Sequence, residues 1–241
     1  MTLSYPYLTF AIFMIPARYF IIAGLFYFLF YYLKKEKWFH LKIQKDFPSR
    51  KNIKMESYYS LSTMIIFSII ALLIFQLHWL GYTKIYLNMD KHGFSYFIFS
   101  TFLLMMIHDI YFYLTHRAMH NKKIYSVIHS IHHKSNNPTP WAAFSFHPIE
   151  AIIQIGFLPV VILVIPFHVS SIVIWVMYMM IFNVIGHLGY EFFPRKFVDS
   201  IFGRIFFTSS FHNMHHRKNN CNYGLYFVFC DRLFGTKHDS Y

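Results

Sequence analysis

Cysteine is scarce in this chain. Cys221 and Cys230 are its only two, too few for a disulfide framework or a cysteine-built zinc site, and both are read as reduced thiols. Charge is scarce too: 13% of the residues are charged, against about a quarter in an ordinary soluble domain. Neither HExxH nor CxxC occurs, which excludes the common zinc-peptidase and zinc-finger arrangements. The sequence carries no flavin or haem motif, no low-complexity tract and no repeat long enough to build an architecture. The first residues lack a basic n-region and a small-residue cleavage site. The first apolar run is therefore expected to stay as a span rather than leave as a signal peptide.

What the chain has instead is apolar surface. Hydrophobic residues make up 56% of it and aromatic ones 22%. The formal net charge of +12 suits nucleic acid or an anionic membrane surface. The apolar runs decide for the membrane, and nucleic acid is not expected as a partner. Residues 7–33 are almost continuously apolar, long enough for a tilted helix across a hydrocarbon core of about 30 Å. A basic loop at 34–54, with eight Lys/Arg against two acidic residues, separates this run from a second at 59–80. A less basic connector, 81–93, leads to a third run that passes straight into a histidine-rich stretch. The apolar block 149–185, broken by Pro166, reads as a helical hairpin whose arms lie near the lower length limit for a span.

The pattern predicts an all-α integral membrane protein. It would have four to five membrane helices, three spans plus the hairpin, and a histidine-rich metal-binding cap. Lys/Arg excess in short loops marks the cytoplasmic side, which places the 34–54 loop there. Counting spans from that loop brings every histidine cluster to the same cytoplasmic face.

Sixteen histidines are present, and they cluster. His108, His116 and His120 recur at multiples of four, near one face of a helix. His129, His132 and His133 form an HxxHH group, and His212, His215 and His216 repeat it. Imidazole is the commonest protein metal ligand, and a single zinc takes only about four ligands. With His187, the HxxxH and HxxHH groups supply nine, which points to two metal ions. Imidazole admits zinc, iron or copper, and ligand count does not choose among them. The scattered His40, His78, His92, His168 and His238 read as polar groups at interfaces rather than ligands.

The flanks of these clusters resemble a known family, the fatty acid hydroxylase/sterol desaturase superfamily of integral-membrane oxidases. His108-Asp109 with Tyr113 and His116-Arg117 is similar to its first histidine box. The segment from Asn137-Pro-Thr-Pro-Trp to His147-Pro-Ile-Glu150 resembles the one after the second box, in particular in the sterol C5-desaturase-like branch. Asn183-Val-Ile-Gly-His187 is similar to the additional histidine site, and Asn222-Tyr-Gly with Asp231-Arg232-Leu-Phe-Gly resembles the C-terminal signature. Cys230 departs from the pattern, standing where relatives commonly place Trp. The division this implies is N-terminal membrane helices and a basic loop over 1–93, then a fatty acid hydroxylase-like catalytic domain over 94–241.

The resemblance implies a di-iron centre that uses O₂ to hydroxylate or desaturate a C–H bond of a lipid, sterol or fatty-acyl. It implies His116, His120, His129, His132, His133, His187, His212, His215 and His216 as iron ligands. Asp109, Glu150, Asn183 and Asp231 are then candidates for accepting the free imidazole N–H groups. His108 is expected to support the centre rather than ligate, and His147 to act structurally or on the substrate side. Electrons are expected from an external reductase through a cytochrome b5-like or ferredoxin-like carrier. Two other readings stand beside this one: an alkyl-ether lipid monooxygenase of the same superfamily, and a non-catalytic His-rich membrane protein that handles metal.

Overall fold

The computed structural model of the chain describes residues 5–198 and 200–238, with side chains from residue 12 onward. Residues 1–4, where a signal peptide would carry its basic n-region, lie outside this range. The described residues are helical, with isolated bridges but no strand. Five long helices form the bundle: α1 (Tyr5–Tyr27), α2 (Arg50–Trp79), α3 (Gly93–Met119) and, after two short helices α4 (Lys122–Ile128) and α5 (Ser130–His133), the hairpin α6 (Pro148–Val164) and α7 (Val169–Gly186). A polar C-terminal part carries α8 (Arg195–Val198), α9 (Ser209–Lys218) and α10 (Phe229–Leu233).

Four helices are long and apolar enough to cross a bilayer: Ile12–Leu33, Arg50–Trp79, Gly93–Met119 and Val169–Gly186. The chain is a multi-pass membrane protein. Large apolar side chains such as Phe13, Ile21, Ile65, Phe99 and Val160 face outward, as they must where the solvent is hydrocarbon. α1 continues as a turn of π-helix over Phe28–Leu33, so the first span is one rod across its whole apolar run. α2 begins earlier than its apolar stretch does. Pro48 breaks the chain, the Ser49 hydroxyl accepts the Asn52 amide as an N-cap, and the basic residues from Arg50 wind into the first turns.

α6 is the shorter helix, at 17 residues, yet the hairpin runs the depth of the bundle. Its tip docks on the connector between α2 and α3. The Tyr86 amide donates to Phe167 O (3.0 Å) and the Val169 amide to Tyr86 O (3.1 Å), while Lys84 Nζ donates to Val164 O (2.7 Å). That connector leads into Gly93, and the ligand candidate His116 lies 23 residues along α3, about 35 Å away at 1.5 Å per residue. The hairpin arms, about 26 and 27 Å long at 17 and 18 residues, run from that connector toward the histidine cap, where Glu150 and His187 lie.

The segment after the second histidine group folds back into the bundle as a tight turn, Pro140–Phe144, started by Thr139. Tyr19 Oη and Ser60 Oγ both donate to Trp141 O (2.7 and 2.9 Å), tying α1 and α2 to it. The fully buried Phe144 stacks on Tyr19 and meets Phe67 edge-on. Glu56 on α2 is also fully buried and accepts from Thr139 Oγ1 at 2.5 Å. The basic loop is pinned as well: Lys42 pairs with Tyr190, and the Ile43 amide donates to Gly189 O (3.0 Å). The buried Lys42 ammonium sits 5.2–5.6 Å from the rings of Tyr31, Phe47 and Tyr190. Burial lowers its pKa to about 8. α1 and α2 thus pack in one bundle with the Pro140–Phe144 turn, α6 and α7.

Candidate metal centre

Each histidine group is delivered by a helix end. His116 and the C-cap residue His120 close α3, one turn apart. Asn121 starts α4 by accepting the Lys123 amide, His129 joins α4 to α5, and α5 presents His132 and His133. His187 caps α7, its amide donating to Asn183 O. Thr208 caps α9, a helix of nearly three turns that points His212, His215 and His216 inward before Asn219 stops it at φ 63°.

The nine histidines fall into two groups. His116, His120, His129, His133 and His215 converge in one, and His132, His187, His212 and His216 in the other. The consecutive pairs are split: His132 and His133 face different groups, as do His215 and His216. Within the groups, neighbouring Nε2 atoms stand 3.1–3.2 Å apart, as for His116–His129, His133–His215, His187–His212 and His212–His216.

The rings' other nitrogens explain which atoms converge. His116 Nδ1 donates to Tyr223 O (2.8 Å), His215 Nδ1 to Cys221 O (2.7 Å), His187 Nδ1 to Asn183 O (2.7 Å) and His132 Nδ1 to Ser145 O (3.2 Å). His129 Nδ1 meets Glu150 Oε1 at 2.8 Å, with both groups buried. A carbonyl can only accept, so Nδ1 holds the proton and Nε2 presents a lone pair to the group. The Nδ1 atoms of His133, His212 and His216 have no partner among the described residues. Lone pairs meeting at 3.1 Å repel unless a cation lies between them. Metal–imidazole bonds of about 2.0–2.1 Å give ligand–ligand edges of about 3.0–3.4 Å, so the donor sets fit two metal ions.

Burial keeps these rings neutral. It lowers the pKa of His187 to about 4 and those of His129, His132, His133, His212, His215 and His216 well below the ordinary value. A neutral ring is the form that binds metal.

Of the candidate supporting groups, Glu150 alone meets a candidate ligand through its side chain. Asn183 accepts from His187 through its backbone carbonyl, while its amide reaches Met179 Sδ. Asp109 touches no ligand: its Oδ1 accepts the Tyr226 amide at 2.8 Å and the Phe227 amide at 3.4 Å, because this stretch closes over α3. Asp231 accepts the Tyr223 and Gly224 amides (2.9 and 2.8 Å) and the Thr236 hydroxyl. It acts at one remove, by fixing the strap whose Tyr223 carbonyl holds His116. Cys230 is buried there against Tyr113 and Tyr223. His108 lies in neither group; its Nδ1 meets Tyr226 Oη at 2.8 Å. His147 caps α6 by accepting the Ile149 amide. The carbonyls of Tyr223, Cys221 and Ser145 carry no mark in the sequence, because any residue supplies one.

On the membrane side of the two groups lies a cavity of about 10 Å³, room for one water. Phe112, Phe144, Phe146, Trp175, Met179 and Leu225 line it, with His108, Gln154 and Asn183 as its polar atoms. Phe146 packs on His132 and Phe112 on His116, so the cavity abuts both groups.

The fatty acid hydroxylase profile matches residues 99–236. A Delta(7)-sterol 5(6)-desaturase of Gibberella zeae is 30% identical over 191 residues, covering 78% of this chain and 56% of that protein. A Delta(7)-sterol-C5(6)-desaturase of Nicotiana tabacum is 28% identical over 233 residues, covering 92% and 79%. The lathosterol oxidase of Rattus norvegicus is 30% identical over 196 residues, covering 79% and 63%. The chain spans little more than half the length of the first of these. No solved structure matches it.

Proposed function

The chain belongs to the fatty acid hydroxylase family, and from that premise we propose that it is a membrane-bound di-iron oxidase that uses O₂ to desaturate or hydroxylate a C–H bond of a membrane lipid. The similarity to sterol desaturases makes a sterol-type polycyclic alcohol the first substrate class to test. The observation that carries the reading is the pair of imidazole groups, five and four, held at one end of an apolar helical bundle.

In this reading the five-histidine group and the four-histidine group each hold one iron. Bound iron supplies O₂ activation and hydrogen abstraction. The chain's own residues supply the rest. The carbonyls and Glu150 orient each ring with its Nε2 inward. The aromatic wall of Phe112, Phe144, Phe146 and Trp175 keeps the space beside the groups dry and able to admit a C–H bond rather than bulk water. In this reading the lipid approaches that wall from the hydrocarbon around the hairpin and α3. The cap faces the cytoplasm, as the Lys/Arg of the 34–54 loop indicate, and electrons come from a separate carrier.

The test is lipid analysis of membranes from cells with and without the chain, alongside the metal content of the purified protein. An O₂-dependent product that disappears in His132→Ala, with about two iron per chain, is the expected result. Protein purified without iron, or unaltered product from His215→Ala, would sink the reading.

A further inference from the structure

His120 differs from the other ligand candidates. Eight of the nine are buried, whereas His120 is partly exposed. Outside it an open groove of about 700 Å³ runs between the end of α3 and the start of α4, and its wall includes Arg117, Asn121, Lys123 and Tyr223. The Tyr223 ring forms a continuous aromatic contact inward. Its centroid lies 5.1 Å from that of His120, 5.4 Å from His215 and 5.7 Å from His116. This groove opens to the surface and reaches the five-histidine group at His120.

Its exposed rim is basic, while the acidic group beside it, Asp231, is buried beneath Tyr223. Between Asp109 and Glu150 the sequence has no acidic residue but contains Arg117, Lys122, Lys123 and Lys134. Between Asp199 and Asp231 it again has none, and contains Arg204, Arg217 and Lys218. Arg117, Lys122 and Lys123 on one side and Arg217 and Lys218 on the other are exposed. Asn219, next to Lys218, accepts from His120 through its backbone, so both basic clusters flank the same histidine. The exposed Leu114 and Ile124 supply an apolar contact inside the basic rim.

We propose that this groove is the docking site of an acidic one-electron carrier protein, and that electrons reach the five-histidine group over the His120 and Tyr223 edges. The inference rests on the oxidase reading. In a desaturation, O₂ takes four electrons, two from the lipid's C–H bonds and two from the carrier in successive single steps. Two solvent protons join the two substrate hydrogens to give two waters, and two carrier molecules leave oxidised. A basic rim matters for such a partner because it steers encounter and fixes orientation.

The experiment uses the full chain in nanodiscs of neutral phospholipid and an acidic [2Fe–2S] ferredoxin as probe. Binding is measured on metal-free and iron-loaded protein, at low and high salt. Wild-type binding is expected to weaken with salt, and Lys122→Glu/Lys123→Glu to weaken it at least about tenfold. Lys123→Gln should give a smaller change of the same sign. Ferredoxin-driven reduction should fall in step, while reduction by dithionite and iron content stay at wild-type levels. Wild-type binding that is absent or insensitive to salt overturns the proposal, as does equal binding by the double variant. So does a loss seen only when anionic phospholipid is present, which would give this face to the lipid surface. Wild-type protein that holds no iron sinks the oxidase reading instead, and the binding measurement on metal-free protein remains readable without it.

Discussion

Glu150 Oε1 lies 2.8 Å from His129 Nδ1, with both side chains buried. The pair joins the first turn of α6 to the linkage between α4 and α5, so a hairpin helix sets the angle of a candidate ligand. Glu150→Leu removes the acceptor and leaves a buried ring N–H unsatisfied. Iron affinity should fall by about 10–100-fold, and Glu150→Gln, which keeps an acceptor oxygen, should recover much of it. Iron retention against a graded chelator reads this, and retention unchanged in Glu150→Leu would remove Glu150 from the support of His129.

His215 and His216 are neighbours in sequence and face different groups. His215→Ala should therefore release the ion of the five-histidine group first, and His216→Ala that of the four-histidine group. Each variant should hold less than two iron per chain, with the larger loss in His216→Ala, because it leaves three imidazoles where His215→Ala leaves four. Spectroscopy of the remaining ion should differ between the two. Identical spectra and stoichiometry from both variants would mean that the groups do not act as separate sites.

Much of this was legible in the sequence, and for physical reasons. Helical spacing of three and four places ligands on one face, so HxxxH and HxxHH announce themselves. Apolar runs announce spans. Which histidine joins which group depends on how α5 and α9 oppose each other, and that is tertiary. The split of His132 from His133 has no local signature. Carboxylates near motifs misled in one respect. Asp109 and Asp231 anchor backbone amides rather than imidazoles, since buried amides of the C-terminal strap also need acceptors. Lys42 gave no signal at all, because a lysine in a basic loop looks solvated until Tyr31, Phe47 and Tyr190 enclose it.

Acid should weaken the metal-free fold. The buried rings are neutral, with His187 lowered to about 4 from an ordinary 6.5. Above pH 6.5 folded and unfolded chains carry the same protons on these rings, and stability is flat. As pH falls below that, the unfolded chain takes up protons that the folded one refuses until about pH 4, so stability falls through this window. The thermal midpoint of metal-free protein in detergent should drop steadily from pH 7 to pH 5. Bound iron should shift the drop to lower pH, since metal and proton compete for the same Nε2. A midpoint level across that range would mean that the rings are hydrated rather than buried.

Gly189 lies two residues after His187 at φ +73°, and a Cβ there would stand 2.6 Å from Tyr31 Oη and 3.2 Å from Pro138 O. Tyr31 Oη in turn donates to Leu188 O at 2.9 Å, so the clash and the hydrogen bond involve one hydroxyl. Gly189→Ala should cost about 1–3 kcal/mol, part from the left-handed backbone and part from overpacking. Tyr31→Phe removes the hydroxyl, losing its bond while clearing the space. The double variant should then be less destabilised than the sum of the two single ones, because the clash with Tyr31 Oη is gone and only the left-handed backbone and the close approach to Pro138 O remain. Thermal midpoints of the four proteins give the comparison, with iron stoichiometry as a second readout. The four-histidine group should empty first, since the displaced segment carries His187. Strict additivity would separate Tyr31 from Gly189 and leave backbone strain and the approach to Pro138 O as the reasons for the glycine.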